Sequence, residues 1–187
     1  MRSPLAALVA LLTLSACQTI LGGPTARPLP PSASGGHGRP KIVLGGASVR
    51  PGLTATVTAT LQSGGASIAG TQNDITFDPR AVAIVRKPNG KPDCRANAAI
   101  GKDATAFTFL PQQCAPGTCT TVRALVLSLS SVSPIPDGSV LYTCTVEAGT
   151  DAAPGAQALH LSRIGFSDPG GKEIGGTGVD GTVTVGR

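Results

Sequence analysis

The side chains able to do acid–base or metal chemistry in this sequence are few and scattered. Two histidines occur, His37 and His160. His37 lies in a stretch rich in Pro and Gly, so one imidazole at most belongs to ordered structure. A single imidazole assembles no Ser-His-Asp or Cys-His arrangement, and His160, inside a strand-like run, reads as an outward strand residue. Metal ligation by Cys and His is equally poorly supplied. Carboxylates stand at Asp74, Asp78, Asp168, Glu173 and Asp180. A glycosidase needs two of them flanking a cleft, whereas their spacing fits strand edges and turns. Asp168-Pro-Gly-Gly-Lys-Glu173 offers oxygen ligands for calcium, but a polar turn accounts for it more simply. The expectation is therefore no catalytic residue, no metal and no cofactor.

The cysteines carry more information. Cys17 follows Leu14-Ser15-Ala16, which closes an apolar run from Leu5 to Leu12 behind a single early charge, Arg2. That run is too short to cross a bilayer as a helix and reads as a secretion leader over residues 1–16. Its end resembles the bacterial lipobox, in which the cysteine is diacylated on sulfur and becomes the first residue of the mature protein. Gln18 in the next position fits sorting to the outer membrane in the proteobacterial pattern. An exported chain meets an oxidising environment, so the even set Cys94, Cys114, Cys119 and Cys144 is expected to form disulfides. Of the three pairings, Cys114 with Cys119 is favoured because the Pro116-Gly117 tip brings its own ends together. Cys94 with Cys144 then follows by elimination. Cys94 with Cys114 and Cys119 with Cys144 remains the open alternative.

These residues must be positioned by a framework, and composition bounds what it is. The chain of 187 residues, with 25 Gly, 16 Pro, one Met and no Trp, suits many short strands joined by turns rather than long helices. With 41% hydrophobic and 13% charged residues, disorder is excluded except in the N-terminal segment. Residues 17–40 hold Pro24, Pro28, Pro30, Pro31, Gly35, Gly36 and Gly38 without apolar periodicity, which makes them a tether. One folded domain over residues 41–187 remains. The net charge of +5 invites a nucleic-acid reading. However, Arg86, Lys87, Lys91, Arg95 and Lys102 crowd one loop with no aromatic residue to stack on bases, so a solvated loop is expected and no nucleic-acid partner.

Within the domain, period-two alternation marks nine strands. Lys41 to Leu44 opens it. Leu53, Ala55, Val57, Ala59 and Leu61 then alternate with threonines, which is the clearest strand. Ser67 to Val85 reads as a strand, a corner at Asp78-Pro79 and a second short strand, with Ile75 and Phe77 inward and Asp74, Thr76 and Asp78 outward. Phe107 and Phe109 mark a strand at Ala106 to Leu110, and the Cys114 to Cys119 segment a hairpin tip. Ser139 to Glu147 places Val140, Tyr142, Cys144 and Val146 on one face. Ala156 to Phe166 changes phase between Leu161 and Ile164, which predicts a bulge near Ser162 and Arg163. Thr182 to Val185 closes the domain. Thr120 to Ser130 differs from the others because both of its faces are apolar: Val122, Ala124 and Val126 on one side, Leu125, Leu127 and Leu129 on the other. A sandwich strand needs one core face, so either this strand is covered on both sides or one of these rows is an exposed apolar patch of the kind that marks a partner surface.

Four pieces in order, Pro51-Gly52 before a Thr/Val strand, Phe77-Asp78-Pro79, Phe166-Ser167-Asp168, and Asp180-Gly181 before Thr-Val-Thr-Val, resemble bacterial cohesin domains across Lys41 to Val185. The resemblance implies an all-β, nine-stranded jelly-roll sandwich related to carbohydrate-binding modules. It further implies a non-catalytic role in holding dockerin-bearing, polysaccharide-degrading proteins. Where dockerin-binding cohesins carry acidic or amide side chains in the third strand, this chain has Gly70 and Gln72, and Ser130 and Ser131 replace acidic residues after the central strand. The apolar contact row corresponds to Leu125, Leu127 and Leu129. The partner surface is thus expected at Gly70, Gln72, Leu125, Leu127 and Leu129, in a lipid-anchored protein of the bacterial envelope. The alternatives are direct binding of a polysaccharide, which one Tyr and no Trp serve poorly, and a structural envelope lipoprotein.

Overall fold

The computed structural model describes residues 38–187. Cys17, the leader and the tether as far as residue 37 lie outside the described residues. Thirteen strands follow one another, with a single 3-10 turn at Ala98–Ile100 as the only helical element among the described residues. They are β1 (Lys41–Leu44), β2 (Ala47–Val49), β3 (Thr54–Gln62), β4 (Gly70–Thr76), β5 (Val82–Ile84), β6 (Cys94–Ala96) and β7 (Ala106–Leu110). Then come β8 (Thr121–Val126), β9 (Val140–Ala148), β10 (Gly155–Ser167), β11 (Glu173–Ile174), β12 (Thr177–Val179) and β13 (Gly181–Val185). The nine strands legible as alternation are present. The other four, β2, β6, β11 and β12, are two or three residues long, too short to show a period.

The strands form two sheets. The first has the order β12-β1-β3-β9-β5, with β6 also paired to β9; the second has the order β2-β13-β10-β4-β8-β7, with β11 on the end of β10. Pairing is antiparallel except for β1 with β12 and β2 with β13, which are parallel. Each sheet turns one row inward. Val57, Ala59, Leu61, Cys144 and Val146 from the first sheet and Ile75, Val122, Ala124, Val126 and Leu159 from the second share one buried cluster, the aligned packing expected of a sandwich. Asp78-Pro79 is the corner where the chain leaves the second sheet for the first. The Asp78 side chain accepts from the Arg80 amide at 3.0 Å, and its carbonyl accepts from Ala81 and Val82.

Three local expectations are corrected. Leu53 precedes β3 and is 54% exposed, because its amide closes a turn onto the Arg50 carbonyl, while its own carbonyl and the Gly52 amide bond to Ala148 of β9. In β9 the register slips opposite Ala59 and Thr60, so Leu141 and Tyr142 are both buried and Val140 moves to the margin. The inward Tyr142 hydroxyl then needs a partner, since an unpaired buried hydroxyl is costly. The Asn73 side chain supplies it, donating at 2.8 Å and accepting at 2.9 Å. Burial holds the Tyr142 phenol well above its ordinary pKa. The basic loop is also not simply solvated. Arg86 lies 4.6 Å over the Phe109 ring and donates to the carbonyls of Gly90 and Cys114. Lys102 is buried, donates to the Ser133 carbonyl at 2.7 Å, and has its pKa lowered by desolvation.

Two disulfides are present, Cys94–Cys144 and Cys114–Cys119. The first joins directly opposed residues of β6 and β9. The second closes the tip of the β7–β8 hairpin, so the alternative pairing is excluded.

Candidate functional site

The geometry of β8 decides which of its two apolar rows faces the core. Val122, Ala124 and Val126 have no exposed surface, which leaves Leu125 and Leu127 on the outer side of the second sheet, both only half-buried. The ladder register sets their neighbours: Leu125 lies opposite Gln72 of β4 and Ala106 of β7, and on the far side of β4 Gly70 and Gln72 lie opposite Ser167 and Gly165 of β10. Four of the five residues expected at a partner surface, Gly70, Gln72, Leu125 and Leu127, therefore border one shallow depression of about 230 Å³, whose far wall is formed by Gly165, Ser167 and Glu173. Gly70 keeps it open. A Cβ there would stand 2.8 Å from the Ser167 hydroxyl and 3.6 Å from the Leu127 Cβ.

Leu129 is not part of this depression. The strand ends at Val126, Leu127 gives its carbonyl to the Ala104 amide, and the Ser128 and Ser130 hydroxyls both turn onto the Asp103 carboxylate. These two bonds hold Asp103 below the usual carboxylate range. They also leave Leu129 89% exposed on a serine-rich loop. The outward leucine row is thus two residues long within reach of the sheet, not three.

Further along the same face lies a region the sequence did not announce. Asp74, expected outward and solvated, does point outward, but its side chain is only 5% exposed. Arg123, its cross-strand partner in β8, forks onto it, Nε to Oδ1 at 2.7 Å and Nη2 to Oδ2 at 2.8 Å. The bidentate bond pushes the Arg123 pKa up. From the other side Arg163 approaches, its Nε 3.7 Å from Asp74 Oδ2. Arg163 sits in the predicted β10 bulge between Ser162 and Gly165 and takes a left-handed backbone, φ 48°, which is uncommon for a residue other than Gly, Asn or Asp. Together these groups line a polar concavity of about 480 Å³ with Thr76, Thr121 and Ser162.

The remaining chemistry is spent on turns. Asp168 accepts from the amides of Gly170 and Lys172 through one oxygen. His160 Nδ1 pairs with Asp180 at 2.9 Å, and the other Asp180 oxygen accepts from the Leu161 amide. That amide, and after it His160, hold Asp180 below its ordinary pKa. Among the described residues no group of three His, Cys, Asp or Glu side chains is placed to hold a metal.

Two mixed sheets in this order, a corner at Asp78-Pro79 and a long bulged β10 define a β-sandwich of the cohesin type. Solved structures bear this out. A type I cohesin of a cohesin–dockerin complex from Clostridium thermocellum matches with a TM-score of 0.63 at 16% identity, over 79% of this chain and 99% of that one. The sixth cohesin of scaffoldin B from Acetivibrio cellulolyticus, solved with a dockerin, gives 0.63 at 15% identity over 80% and 100%. A non-cellulosomal cohesin from the archaeon Archaeoglobus fulgidus gives 0.58 at 13% identity over 80% and 93%. No protein-family model and no curated protein matches the sequence. The likeness is one of fold: the chain carries a cohesin-like domain.

Proposed function

We propose that this chain is a non-catalytic, extracytoplasmic binding module, tethered to the bacterial envelope through lipid on Cys17, whose second-sheet face captures a protein partner of the dockerin kind. The observation that supports it most is the apolar depression at Gly70, Gln72, Leu125 and Leu127, on a face that the sandwich core does not use. The solved cohesins from C. thermocellum and A. cellulolyticus are each in complex with a dockerin. A flat patch on a rigid sheet also suits a pair of packed helices. Both leucines are already half-buried, so covering what is still exposed contributes about 1 kcal/mol each. That falls below the lower end of the association cost, so polar contacts must supply the remainder. The polysaccharide reading is weaker, because Phe77, Phe109, Phe166 and Tyr142 are buried and Phe107 packs against the core, leaving no exposed ring among the described residues to stack on a sugar.

Calorimetric titration of the protein with each dockerin-bearing protein encoded in the same genome tests the capture. Saturable binding of at least one is expected, and heats indistinguishable from dilution for all of them would overturn the reading. The anchor is tested separately by mass spectrometry of the mature N-terminus, where a diacylated Cys17 is expected and an unmodified terminus elsewhere would refute it.

A further inference from the structure

We infer that the Arg123–Asp74–Arg163 cluster is the polar half of the docking face, and that it selects a protein partner presenting a carboxylate, an Asp or Glu side chain on the surface it lays against the sheet. This rests on the reading that the second-sheet face docks a protein, and it adds the charge of the partner.

The charge count at the cluster is uneven. Asp74 carries the one carboxylate, and both of its oxygens accept from Arg123 at hydrogen-bond distance. Arg163 stands beyond hydrogen-bond distance, at 3.7 Å. Among the described residues it donates to no other group, so its five N–H donors are unspent while the Asp74 charge is already matched. The Arg163 side chain is 73% exposed, against 34% for Arg123, so it is the one of the two that a partner reaches.

The backbone is bent to put it there. The bulge between Ser162 and Gly165 lets Leu161 and Ile164 both pack against the core while Ser162 and Arg163 line the concavity. An extra residue in a strand re-aims a side chain, and a left-handed conformation at an arginine is retained where surrounding structure over-determines it. A planar guanidinium with unspent parallel donors matches a carboxylate in a two-bond fork. The Ser162 hydroxyl, and one of the Thr76 and Thr121 hydroxyls, which bond to each other at 3.3 Å, are further donors around it. The cluster shares β4, β8 and β10 with the apolar depression, so one partner covering both meets leucine at one end and guanidinium at the other.

The test uses the isotope-labelled protein, following the arginine Nε–Hε and backbone amide signals by NMR. It is titrated with a capped oligoglutamate peptide and, as control, a capped oligoglutamine peptide. The expected result is saturable movement of Arg163 Nε–Hε and of the Ser162 and Gly165 amides with oligoglutamate only, weakened by salt and abolished in Arg163→Gly, a variant whose backbone tolerates the left-handed conformation. No movement, or equal movement of Arg80 and Lys91, would overturn the inference. In parallel, Arg163→Gly is titrated with the dockerin-bearing proteins. A loss of about tenfold or more in affinity is expected. Dockerin binding unchanged in Arg163→Gly would remove this inference and leave the capture reading standing. A response to oligoglutamate without any dockerin binding would remove the dockerin reading and leave the carboxylate preference standing for a protein partner of another kind.

Discussion

The outer face of the first sheet is a field of threonines. Thr54, Thr56 and Thr58 of β3 stand opposite Glu147, Thr145 and Thr143 of β9, β-branched side chains that favour strands and leave their hydroxyls to water. The outer face of the second sheet is built on the same alternation but carries half-buried leucines, a glycine that keeps a depression open, and a carboxylate sunk between two arginines. A sandwich requires one apolar row per strand, and outside that row the first sheet adds to its threonines a valine pair at the β1–β12 edge, Val43 and the exposed Val179, without a depression built around it. What the second sheet adds is not needed for folding, and that surplus is where a binding surface is to be sought.

The largest effect expected from separating the two faces comes from the first sheet. Cys94 and Cys144 close a 50-residue separation across β6 and β9, for which constraint of the unfolded chain gives about 4 kcal/mol. The double change Cys94→Ala/Cys144→Ala should lower stability in denaturant unfolding by that order while leaving partner affinity unchanged below the new midpoint. A drop in affinity would show that the two faces are not independent. Arg123→Ala comes next. It strands the Asp74 carboxylate at 5% exposure, which in a fully buried pair costs 3–5 kcal/mol. Because Arg123 itself is partly exposed and Arg163 stands nearby to compensate, about 2 kcal/mol is expected in the same assay.

Asp180→Asn has a smaller effect with a defined pH dependence. The Leu161 amide, and secondarily His160, depress the Asp180 pKa in the folded state. Its stabilisation is therefore present above the ordinary carboxylate range and lost as pH falls through the depressed value. The variant should melt slightly lower than wild type at neutral pH, by ~0.5 kcal/mol or less given its exposure, and the two should converge in acid. Divergence on acidification would contradict the sign. Thr56→Ala, on the threonine face, should fall within about 0.5 kcal/mol of wild type and bind normally.

The architecture was legible because alternation runs through most of the longer strands, broken where β9 slips and β10 bulges, and because the Pro116-Gly117 tip dictates which cysteine is near Cys119. The two-sided stretch at Thr120 to Ser130 was legible by the failure of that alternation, since it has more apolar residues than one core face can use. Leu129 misled because the Leu-x-Leu-x-Leu period continues past the point where Asp103 draws Ser128 and Ser130 out of the ladder. That is a side-chain contact across 25 residues or more and leaves no local trace. The Asp74 cluster was hidden likewise. A single Asp among threonines reads as solvated, its partner Arg123 is 49 residues away inside an apolar run, and only the register of β4, β8 and β10 brings Arg123 and Arg163 to it.

The central claim, that the second-sheet face binds and the first does not, is tested most directly by measuring affinity and thermal midpoint together for Leu127→Asp and Thr58→Asp. Each places one carboxylate on one outer face. Leu127 is half-buried and outside the core, so its replacement should cost about 1 kcal/mol or less while abolishing capture of the dockerin-bearing partner; Thr58→Asp should leave both quantities near wild type. A Leu127→Asp protein that binds as well as wild type, or one that loses binding only because it unfolds, would contradict the account.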